Sequence, residues 1–280
     1  MDTERQEGLR PGLVVFSDLD GTLLDGNDYS FDRAEPALRL LAERRIPLVL
    51  CSSKTRSEVE FYRERFGNRD PFVVENGGAV YVPRDYFAFG FDHDRATADY
   101  LVLELGTPYE TLVHALGELK RKTGIPLRGF SDMTVEEVAA RCALPLRQAA
   151  RAKEREYDEP VLIPREGQVA AVMAAADLPV TQGDRFYHLS ASDKGRAVSV
   201  LMGLFKRAHP DAVSVGIGDT LNDLPLLDAV DVPIVVQLDD GGYDRRVVVP
   251  GLRYADGVGP AGWNAAVTML VDGAAADLTF

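Results

Sequence analysis

The stretch VVFSDLDGTLLD, residues 14–25, places two aspartates two positions apart at the end of an apolar run. The apolar run is typical of a buried strand, and Gly21 permits a sharp turn after it. Side chains of a strand alternate between faces, but where the strand ends and turns, Asp18 and Asp20 can face one cleft. Two adjacent carboxylates repel each other unless a cation joins them, and Mg²⁺ prefers such oxygen ligands. A lone Asp-x-Asp-Gly is explained equally well as a turn that closes a strand.

Composition limits the classes of protein to which the chain can belong. It has 280 residues, 46% of them hydrophobic, which can supply the core of one large domain or two moderate ones. The net charge of −13 argues against general affinity for nucleic acid or anionic membranes. The first ten residues are polar and expected to be disordered, and no later apolar run approaches the length of a membrane span. With only Cys51 and Cys142, which suggest no disulfide framework, we expect a soluble cytoplasmic protein.

Strand and helix patterns alternate outward from the opening stretch. We predict strands at 13–20, 46–53 and 71–83, the last one broken by a glycine turn. Helices are predicted at 31–45 and 55–67, where Thr55 and Glu58 have the spacing of a capping box and Gly67 is a stop signal. This order predicts an α/β fold, with a parallel sheet covered by helices on both faces. Ligands of such sheets bind at the carboxyl ends of the strands.

The middle of the chain differs in pattern and predicts an α+β insertion with a small sheet of its own. Its predicted strands lie at 99–106, 159–164 and 185–191, and its helices at 109–124, 134–143, 146–156 and 167–177. The first pattern then returns, with a helix at 192–208, strands at 212–219 and 231–237, and a final helix and tail within 270–280. We therefore assign residues 1–86 and 188–280 to one domain and 87–187 to the insertion.

Further polar residues follow predicted strands or begin predicted helices. Asp219, Asn222 and Asp223 follow an apolar strand and could complete a Mg²⁺ site, although the same residues could be a solvated helix cap. Lys194 begins a helix, where its charge is unfavourable, so a specific anionic partner is indicated; alone it is most often a surface lysine. Ser52 ends a strand and is either a hydroxyl donor to a ligand or a cap for the next helix. Their order along the chain is more specific than any one of them.

In that order, Asp-x-Asp-Gly-Thr, Ser, Lys and Gly-Asp-x-x-Asn-Asp resemble the four motifs of the haloacid dehalogenase superfamily of aspartate-dependent phosphotransferases. The resemblance implies a Rossmann-like doubly wound core with an inserted C2-type cap. It implies that Asp18 is the nucleophile and Asp20 the general acid and base. It further implies Mg²⁺ as cofactor, held by Asp18, Asp219 and the backbone carbonyl of Asp20, with Asp223 in support.

The same resemblance gives roles to three other residues. Lys194 would neutralise the nucleophile and the phosphoryl oxygens, and Ser52 would donate a hydrogen bond to them. Thr22 would help to hold Asp20, or is simply a turn residue. With Asp18 and Asp20, Ser52 and Lys194 form the predicted catalytic set.

Substrate class depends on the insertion, which carries six basic residues between Arg141 and Arg165. Arg147, Arg151 and Arg155 share a helix face, which could be a solvated face paired with nearby acids. The phrases AKEREYDEPVLI, GDRFYHLSASDKG and CSSKTRSEVEFYRERFG, however, resemble the mannosyl-3-phosphoglycerate phosphatases within the C2-capped group. Lys54 departs from the Thr-Gly-Arg of many sugar phosphatases of the superfamily and looks like the Ser-Ser-Lys-Thr form of that subgroup.

This resemblance implies a small phosphorylated sugar-glycerate as substrate, and mannosylglycerate, a compatible solute, as product. Because the substrate carries a carboxylate besides its phosphate, a cationic clamp in the cap is expected. Glu75 would belong to a loop beside the nucleophile, and His188 could instead be a satisfied core histidine. The candidate substrate contacts are Thr22, Ser53, Lys54, Asn76, Gly77, Gly78, Arg147, Lys153, Arg155, Arg165, His188 and Asn222.

Three alternatives remain open. The nearest is a phosphatase of glucosyl-3-phosphoglycerate or a hexose phosphate, since differences within one pocket separate these substrates. A phosphomutase could use the same two aspartates. A non-catalytic sugar-phosphate sensor would be expected to lack at least one catalytic residue, and none is missing. The sequence indicates no nucleic-acid or membrane partner and leaves monomer and homodimer both open.

Overall fold

The computed structural model describes residues 12–183 and 185–272 and contains two β-sheets. Its strands are β1 Leu13–Ser17, β2 Leu48–Cys51, β3 Phe72–Val74, β4 Ala79–Pro83, β5 Arg95–Ala96, β6 Tyr100–Glu104, β7 Arg128–Gly129, β8 Glu159–Leu162, β9 Val180–Gln182, β10 Tyr187–Leu189, β11 Val213–Gly218, β12 Val232–Gln237 and β13 Arg253–Val258. Its α-helices are α1 Glu35–Arg44, α2 Arg56–Phe66, α3 Tyr109–Thr123, α4 Val135–Cys142, α5 Leu146–Ala152, α6 Val169–Ala175, α7 Lys194–Ala208, α8 Leu224–Asp228 and α9 Pro260–Asp272.

The larger sheet has the order β13-β12-β11-β1-β2-β3-β4-β6-β5 across the described residues. The strands from β13 to β3 are parallel, and β4, β6 and β5 add an antiparallel edge. Within β1 the side chains alternate: Val15 packs on the face covered by α1, α2 and α9, whereas Val14 and Phe16 pack against α7 and α8. Burial on both faces explains the continuous apolar runs. The predicted α/β class is confirmed.

Two local features fix the strand end below the opening aspartates. Trp263 of α9 is completely buried and donates its Nε1–H to Ser17 Oγ at 2.9 Å. The Ser17 hydroxyl in turn donates to the carbonyl oxygen of Asp18 at 2.7 Å. Because buried polar groups need partners, this pair anchors the end of β1 while it satisfies the indole.

Helix α2 begins and ends as its sequence predicts. The Thr55 hydroxyl accepts the N–H of Glu58, and the Glu58 carboxylate accepts the N–H of Thr55, which completes the capping box. Gly67 ends the helix in the left-handed conformation, with φ of 66°. The helix start is thereby fixed beside the loop that follows β2.

The smaller sheet is antiparallel, with the order β7-β8-β10-β9, and lies in the predicted insertion. Apolar clusters on α3 and α6 and on α4 and α5 give this sheet a core separate from that of the larger one. One placement is wrong: β6, predicted within the insertion, pairs with β4 in the larger sheet. At the other end, β10 continues to Leu189, past the predicted boundary at 187. We propose that the inserted unit lies between β6 and α7.

The carboxyl-terminal part of the described chain contains elements that were not predicted from the sequence. Strand β13 pairs with β12, and α9 begins at Pro260, ten residues before the predicted final helix. The predicted tail beyond residue 272 and the predicted disorder of the first ten residues lie outside the described residues. In the described ranges, no helix has the length and apolar character that crossing a membrane requires.

Candidate active site

A cleft of about 570 Å³ separates the carboxyl ends of β1, β2 and β11 from the smaller sheet. Its core side includes Asp18, Asp20, Lys54 and Asp219, each of which follows one of these strands. The opposite side, called the cap wall below, is formed by Phe130, Arg155, Arg185 and His188. The predicted meeting of polar groups at the carboxyl ends of the strands is therefore observed.

Lys194 is buried behind the cleft lining, between two aspartates that belong to it. Its Nζ is 2.8 Å from Asp18 Oδ1 and 2.6 Å from Asp223 Oδ1, and all three side chains are buried. Burial raises the pKa of Asp18 to about 7, with a further rise from the charge of Asp223, while Lys194 acts in the opposite direction. Burial alone would lower the pKa of Lys194, but the charges of Asp18 and Asp223 outweigh it and raise that pKa. The site thus holds more negative charge than one lysine neutralises.

The same aspartates suit a small hard cation. Carboxylate oxygens of Asp18, Asp219 and Asp223 lie within 4.8 Å of one another. Asp223 is already held, since Oδ1 contacts Lys194 and Oδ2 accepts the N–H of Asp219 at 3.0 Å. A Cβ on Gly21 would lie 2.3 Å from Asp219 Oδ2, so only glycine leaves this carboxylate in place. The donor set and the space around it fit Mg²⁺, with Asp18 and Asp219 as ligands and Asp223 behind them.

Asp20 is separated from this group by an ion pair of its own. Its Oδ1 lies 2.9 Å from Nζ of Lys54, which is buried and also sits 4.9 Å from the ring centre of Tyr29. Burial would lower the pKa of Lys54, but the charges of Asp20 and Glu58 raise it. The side chain of Asp20 is therefore not in the carboxylate cluster, and the metal role of its backbone carbonyl stays a prediction.

Ser52 and Thr22 are buried rather than open to the cleft. Ser52 Oγ accepts the N–H of Lys54 at 3.2 Å within the loop after β2, whereas Thr55 caps the next helix, so the capping alternative for Ser52 is wrong; its donation to a phosphate stays a prediction. The Thr22 hydroxyl has no hydrogen-bond partner among the described residues, so its expected contact with Asp20 is not observed. Ser53 lines the cleft, as predicted, and its carbonyl oxygen accepts from Arg155 Nη1 at 2.8 Å.

The loop after β3 joins the core to the insertion. Asn76 Oδ1 accepts from Asn222 Nδ2 at 3.2 Å, which brings two of the predicted contacts together. A Cβ on Gly77 would meet the backbone of Asp193, and one on Gly78 would meet Tyr157. These two glycines allow close packing beside the cleft; like Asn76, they are not among the residues that line it, and their contact with a substrate stays a prediction.

The carboxylate of Glu75 does not line the cleft but binds the backbone of the insertion. Its two carboxylate oxygens accept the N–H groups of Glu156 and Tyr157, at 2.8 and 3.0 Å. Burial raises the pKa of Glu75 to about 8, although Arg155 and the two N–H groups act against this rise. Its contribution is to hold the two domains together rather than to contact a ligand.

The predicted basic contacts of the insertion divide into two groups. Arg155 and His188 line the cleft, as predicted. Lys153 does not, because its ammonium donates to the carbonyl oxygens of Phe130, at 2.5 Å, and of Met133. Arg147 and Arg165 are exposed and lie outside the cleft lining, so their prediction as contacts is not met. The solvated-face interpretation describes Arg147 better.

Among the residues that sequence reasoning missed are two charged ones on the cap side. Arg185 lines the cap wall and donates from Nη1 to the carbonyl oxygen of Cys142 at 2.6 Å. Asp158 is fully buried, and its Oδ2 lies 2.7 Å from His188 Nδ1 and 3.3 Å from Arg155 Nη1. Both residues lie in the sequence phrases that resemble the mannosyl-3-phosphoglycerate phosphatases. The strand predicted at 185–191 contains both Arg185 and His188, which was a second signal for Arg185.

Comparisons with known proteins agree with this geometry. A family model described as haloacid dehalogenase-like hydrolase matches residues 15–102. A glucosyl-3-phosphoglycerate/mannosyl-3-phosphoglycerate phosphatase of Methanococcoides burtonii is 40% identical over 92% of this chain and 97% of its own length. A mannosyl-3-phosphoglycerate phosphatase of Pyrococcus furiosus is 38% identical over 80% of this chain and 90% of its own.

Solved structures with a similar fold have low sequence identity. A protein of Thermoplasma acidophilum has a TM-score of 0.65 at 17% identity, with 93% of this chain and 98% of the other covered. A phosphatase of the haloalkanoate (HAD) superfamily from Bacteroides thetaiotaomicron has a TM-score of 0.64 at 16% identity, covering 93% and 95%. At these identities the likeness supports the fold alone.

Proposed function

This chain belongs to the haloacid dehalogenase superfamily and is a phosphatase, and we propose that it hydrolyses mannosyl-3-phosphoglycerate to mannosylglycerate and phosphate. The observation that carries the proposal is the contrast between the two sides of the cleft. The core side presents Asp18 with Lys194 behind it, whereas the cap wall presents Arg155, Arg185 and His188. A phosphate ester that also bears a carboxylate complements both sides.

In the first half of the proposed reaction, an oxygen of Asp18 attacks phosphorus as the bond from phosphorus to the ester oxygen breaks. Lys194 holds Asp18 Oδ1 in place throughout. Asp20 gives a proton to the departing oxygen. Its ion pair with Lys54 must therefore break, and its carboxylate must be protonated, before this step. Lys54 is then free to contact the substrate. Mg²⁺, when held by Asp18 and Asp219, supplies positive charge that offsets the repulsion between carboxylate and phosphate.

In the second half, Asp20 takes a proton from a water molecule that attacks the phosphorus of the aspartyl phosphate. The bond from phosphorus to Asp18 breaks, phosphate leaves, and the carboxylate is restored. The cap wall limits the access of other water to this intermediate. Both halves need the same residue to lose and regain one proton, and the position of the Asp20 side chain outside the carboxylate cluster is consistent with this role.

Glucosyl-3-phosphoglycerate is the second candidate substrate, because the relative from Methanococcoides burtonii carries both substrates in its name. The two sugars differ only in the arrangement of one hydroxyl group, whereas phosphate and carboxylate are common to both. If the cap wall recognises the carboxylate, discrimination between the sugars will be weak.

The test is phosphate release from mannosyl-3-phosphoglycerate, its glucosyl analogue, 3-phosphoglycerate and several hexose phosphates, with Mg²⁺ or with EDTA. Asp18→Asn is the inactive variant. Asp211→Asn is the matched control, because Asp211 is exposed before the start of β11, at the opposite end from Asp219. Preference for the two glycosyl glycerates, lost with EDTA and in Asp18→Asn only, is the expected result. Equal release from hexose phosphates would refute the substrate, and an isomerised product without free phosphate would indicate a mutase.

A further inference from the structure

His188 reaches the cleft from the middle of the smaller sheet. It lies opposite Pro160 in the antiparallel pair of β10 and β8, and both residues line the cleft. Its neighbour Leu189 faces the apolar cluster on the other side, as alternation along a strand requires. His188 is thus held on a regular element, and its side chain keeps only 14% exposure.

The carboxylate of Asp158 stands behind this ring. Asp158 is completely buried, and Oδ2 contacts His188 Nδ1 at 2.7 Å and Arg155 Nη1 at 3.3 Å. Its Oδ1 has no hydrogen-bond partner among the described residues. Burying a carboxylate is costly unless charged partners compensate it, so its place here depends on Arg155 and His188.

This contact decides which ring nitrogen meets a ligand. Because a carboxylate group accepts hydrogen bonds, we assign the N–H of the His188 ring to Nδ1, which lies 2.7 Å from Asp158 Oδ2. Nε2 is then the nitrogen left for a ligand. Nε2 lies beside Gly183, where an added Cβ would come within 2.6 Å of it. Gly183 therefore provides the room that Nε2 needs, and here the glycine is required for space.

We infer that Asp158 is a positioning residue, which holds His188 so that Nε2 binds the carboxylate of the substrate at the cap wall. The inference rests on the proposed function and extends it to a specific recognition group. Arg185 and Arg155 make this wall cationic, which favours a carboxylate over a neutral hydroxyl group as the partner of Nε2. The ring can carry a second proton on Nε2 and donate it to a carboxylate oxygen while Nδ1 stays bound to Asp158.

The test compares substrates with and without a carboxylate. The measured quantity is the ratio of kcat/KM for mannosyl-3-phosphoglycerate to that for p-nitrophenyl phosphate. Asp158→Asn should lower this ratio roughly 10–100-fold, mainly through KM, since a hydrogen bond to a charged group is weakened. Glu159→Gln is the matched control: Glu159 is the next residue and equally buried, but its carboxylate contacts Ser131 and Tyr109. An equal fall in both variants would overturn the inference.

A spectroscopic readout separates positioning from simple stabilisation. In protein with ¹⁵N-labelled histidine, His188 should show a protonated Nδ1, and Asp158→Asn should change its ring ¹⁵N shifts. Only four histidines are present, so His188→Asn assigns the signal. Unchanged shifts in Asp158→Asn would contradict the inference. If Asp158→Asn does not fold, His188→Asn and Gly183→Ala must lower the substrate ratio, and an equal loss on both substrates would refute it.

Failure of the proposed function can be recognised separately. 3-Phosphoglycerate and glycerol 3-phosphate differ only by the carboxylate, and each can be tested as a competitive inhibitor of p-nitrophenyl phosphate hydrolysis. Suppose that the glycosyl glycerates are not hydrolysed, but that 3-phosphoglycerate inhibits the wild type better than glycerol 3-phosphate does and this preference is absent in Asp158→Asn. The proposed function then fails and the inference about Asp158 stands. If the wild type shows no preference between the two inhibitors, the inference fails whatever the substrate is.

Discussion

Replacing Asp18 by asparagine should stabilise the protein in the absence of divalent cations, although it removes the proposed nucleophile. In the folded chain, burial and the charge of Asp223 raise the pKa of Asp18 from 3.8 to about 7. Since each pKa unit corresponds to about 1.4 kcal/mol, the ionised carboxylate of Asp18 lowers the free energy of unfolding by about 4 kcal/mol at pH 8. Asparagine keeps an oxygen that can accept from Lys194 but carries no charge. Because a buried amide has its own desolvation cost, we expect a gain of about 2–4 kcal/mol.

The dependence on pH follows from the sign of the shift. A carboxyl group with a raised pKa in the folded state costs nothing well below pH 3.8, where it is protonated in both states. The cost grows between pH 4 and 7, as only the unfolded chain ionises freely, and is constant above that range. The advantage of Asp18→Asn should therefore be small at pH 4 and largest at pH 8.

Urea and thermal unfolding with EDTA at pH 4, 5 and 8 would measure this, with Asp211→Asn as control. For a chain of this size the gain at pH 8 corresponds to a Tm higher by about 3–7 °C. Added Mg²⁺ should reverse the order, since it stabilises the wild type by binding the native state and the variant lacks one of its ligands. A wild type at least as stable as Asp18→Asn at pH 8 in EDTA would refute the reasoning.

Three further predictions concern the cation, the nucleophile and the cap. Gly21→Ala should weaken Mg²⁺ binding at least tenfold by calorimetry, whereas Gly67→Ala, with similar positive φ but no atom near its Cβ, should not change it. Lys194→Met should lower kcat about 100–1000-fold without loss of fold by circular dichroism; a smaller loss would mean that Lys194 does not act on the reacting groups. Arg155→Ala should raise KM at least tenfold and exposed Arg147→Ala less than twofold, so similar KM values in steady-state assays would contradict the cleft lining described above.

The core of the site was predictable because strand ends leave a simple trace in the sequence. Apolar runs that stop at Asp18, Ser52 and Asp219 mark three parallel strands, and parallel strands bring their carboxyl ends to one edge. The approach of Lys194 could be expected only from the order of the motifs. Its contact with both Asp18 and Asp223 depends on how α7 packs, which no local pattern encodes.

The cap was harder to predict because its basic residues have more than one use. Helical spacing places Arg147 and Arg155 on one face, but α5 ends at Ala152, so Arg155 lies beyond the helix and turns toward Ser53 and Asp158. Lys153 donates hydrogen bonds to backbone carbonyl groups inside the cap and does not line the cleft. Strand β6 was assigned to the insertion because sequence order alone does not show that it returns to β4.

The position of β1 also affects how the protein can be synthesised. Val15 of β1 is paired with Val215 of β11, so one side of the strand that carries Asp18 stays open until two hundred further residues have left the ribosome. Contacts so distant in sequence form slowly, and an open apolar edge can pair with another chain in the meantime. The inserted unit has its own apolar clusters and can therefore fold before β11 pairs with β1. The proposed nucleophile thus reaches its final surroundings only after β11 has been synthesised and paired with β1.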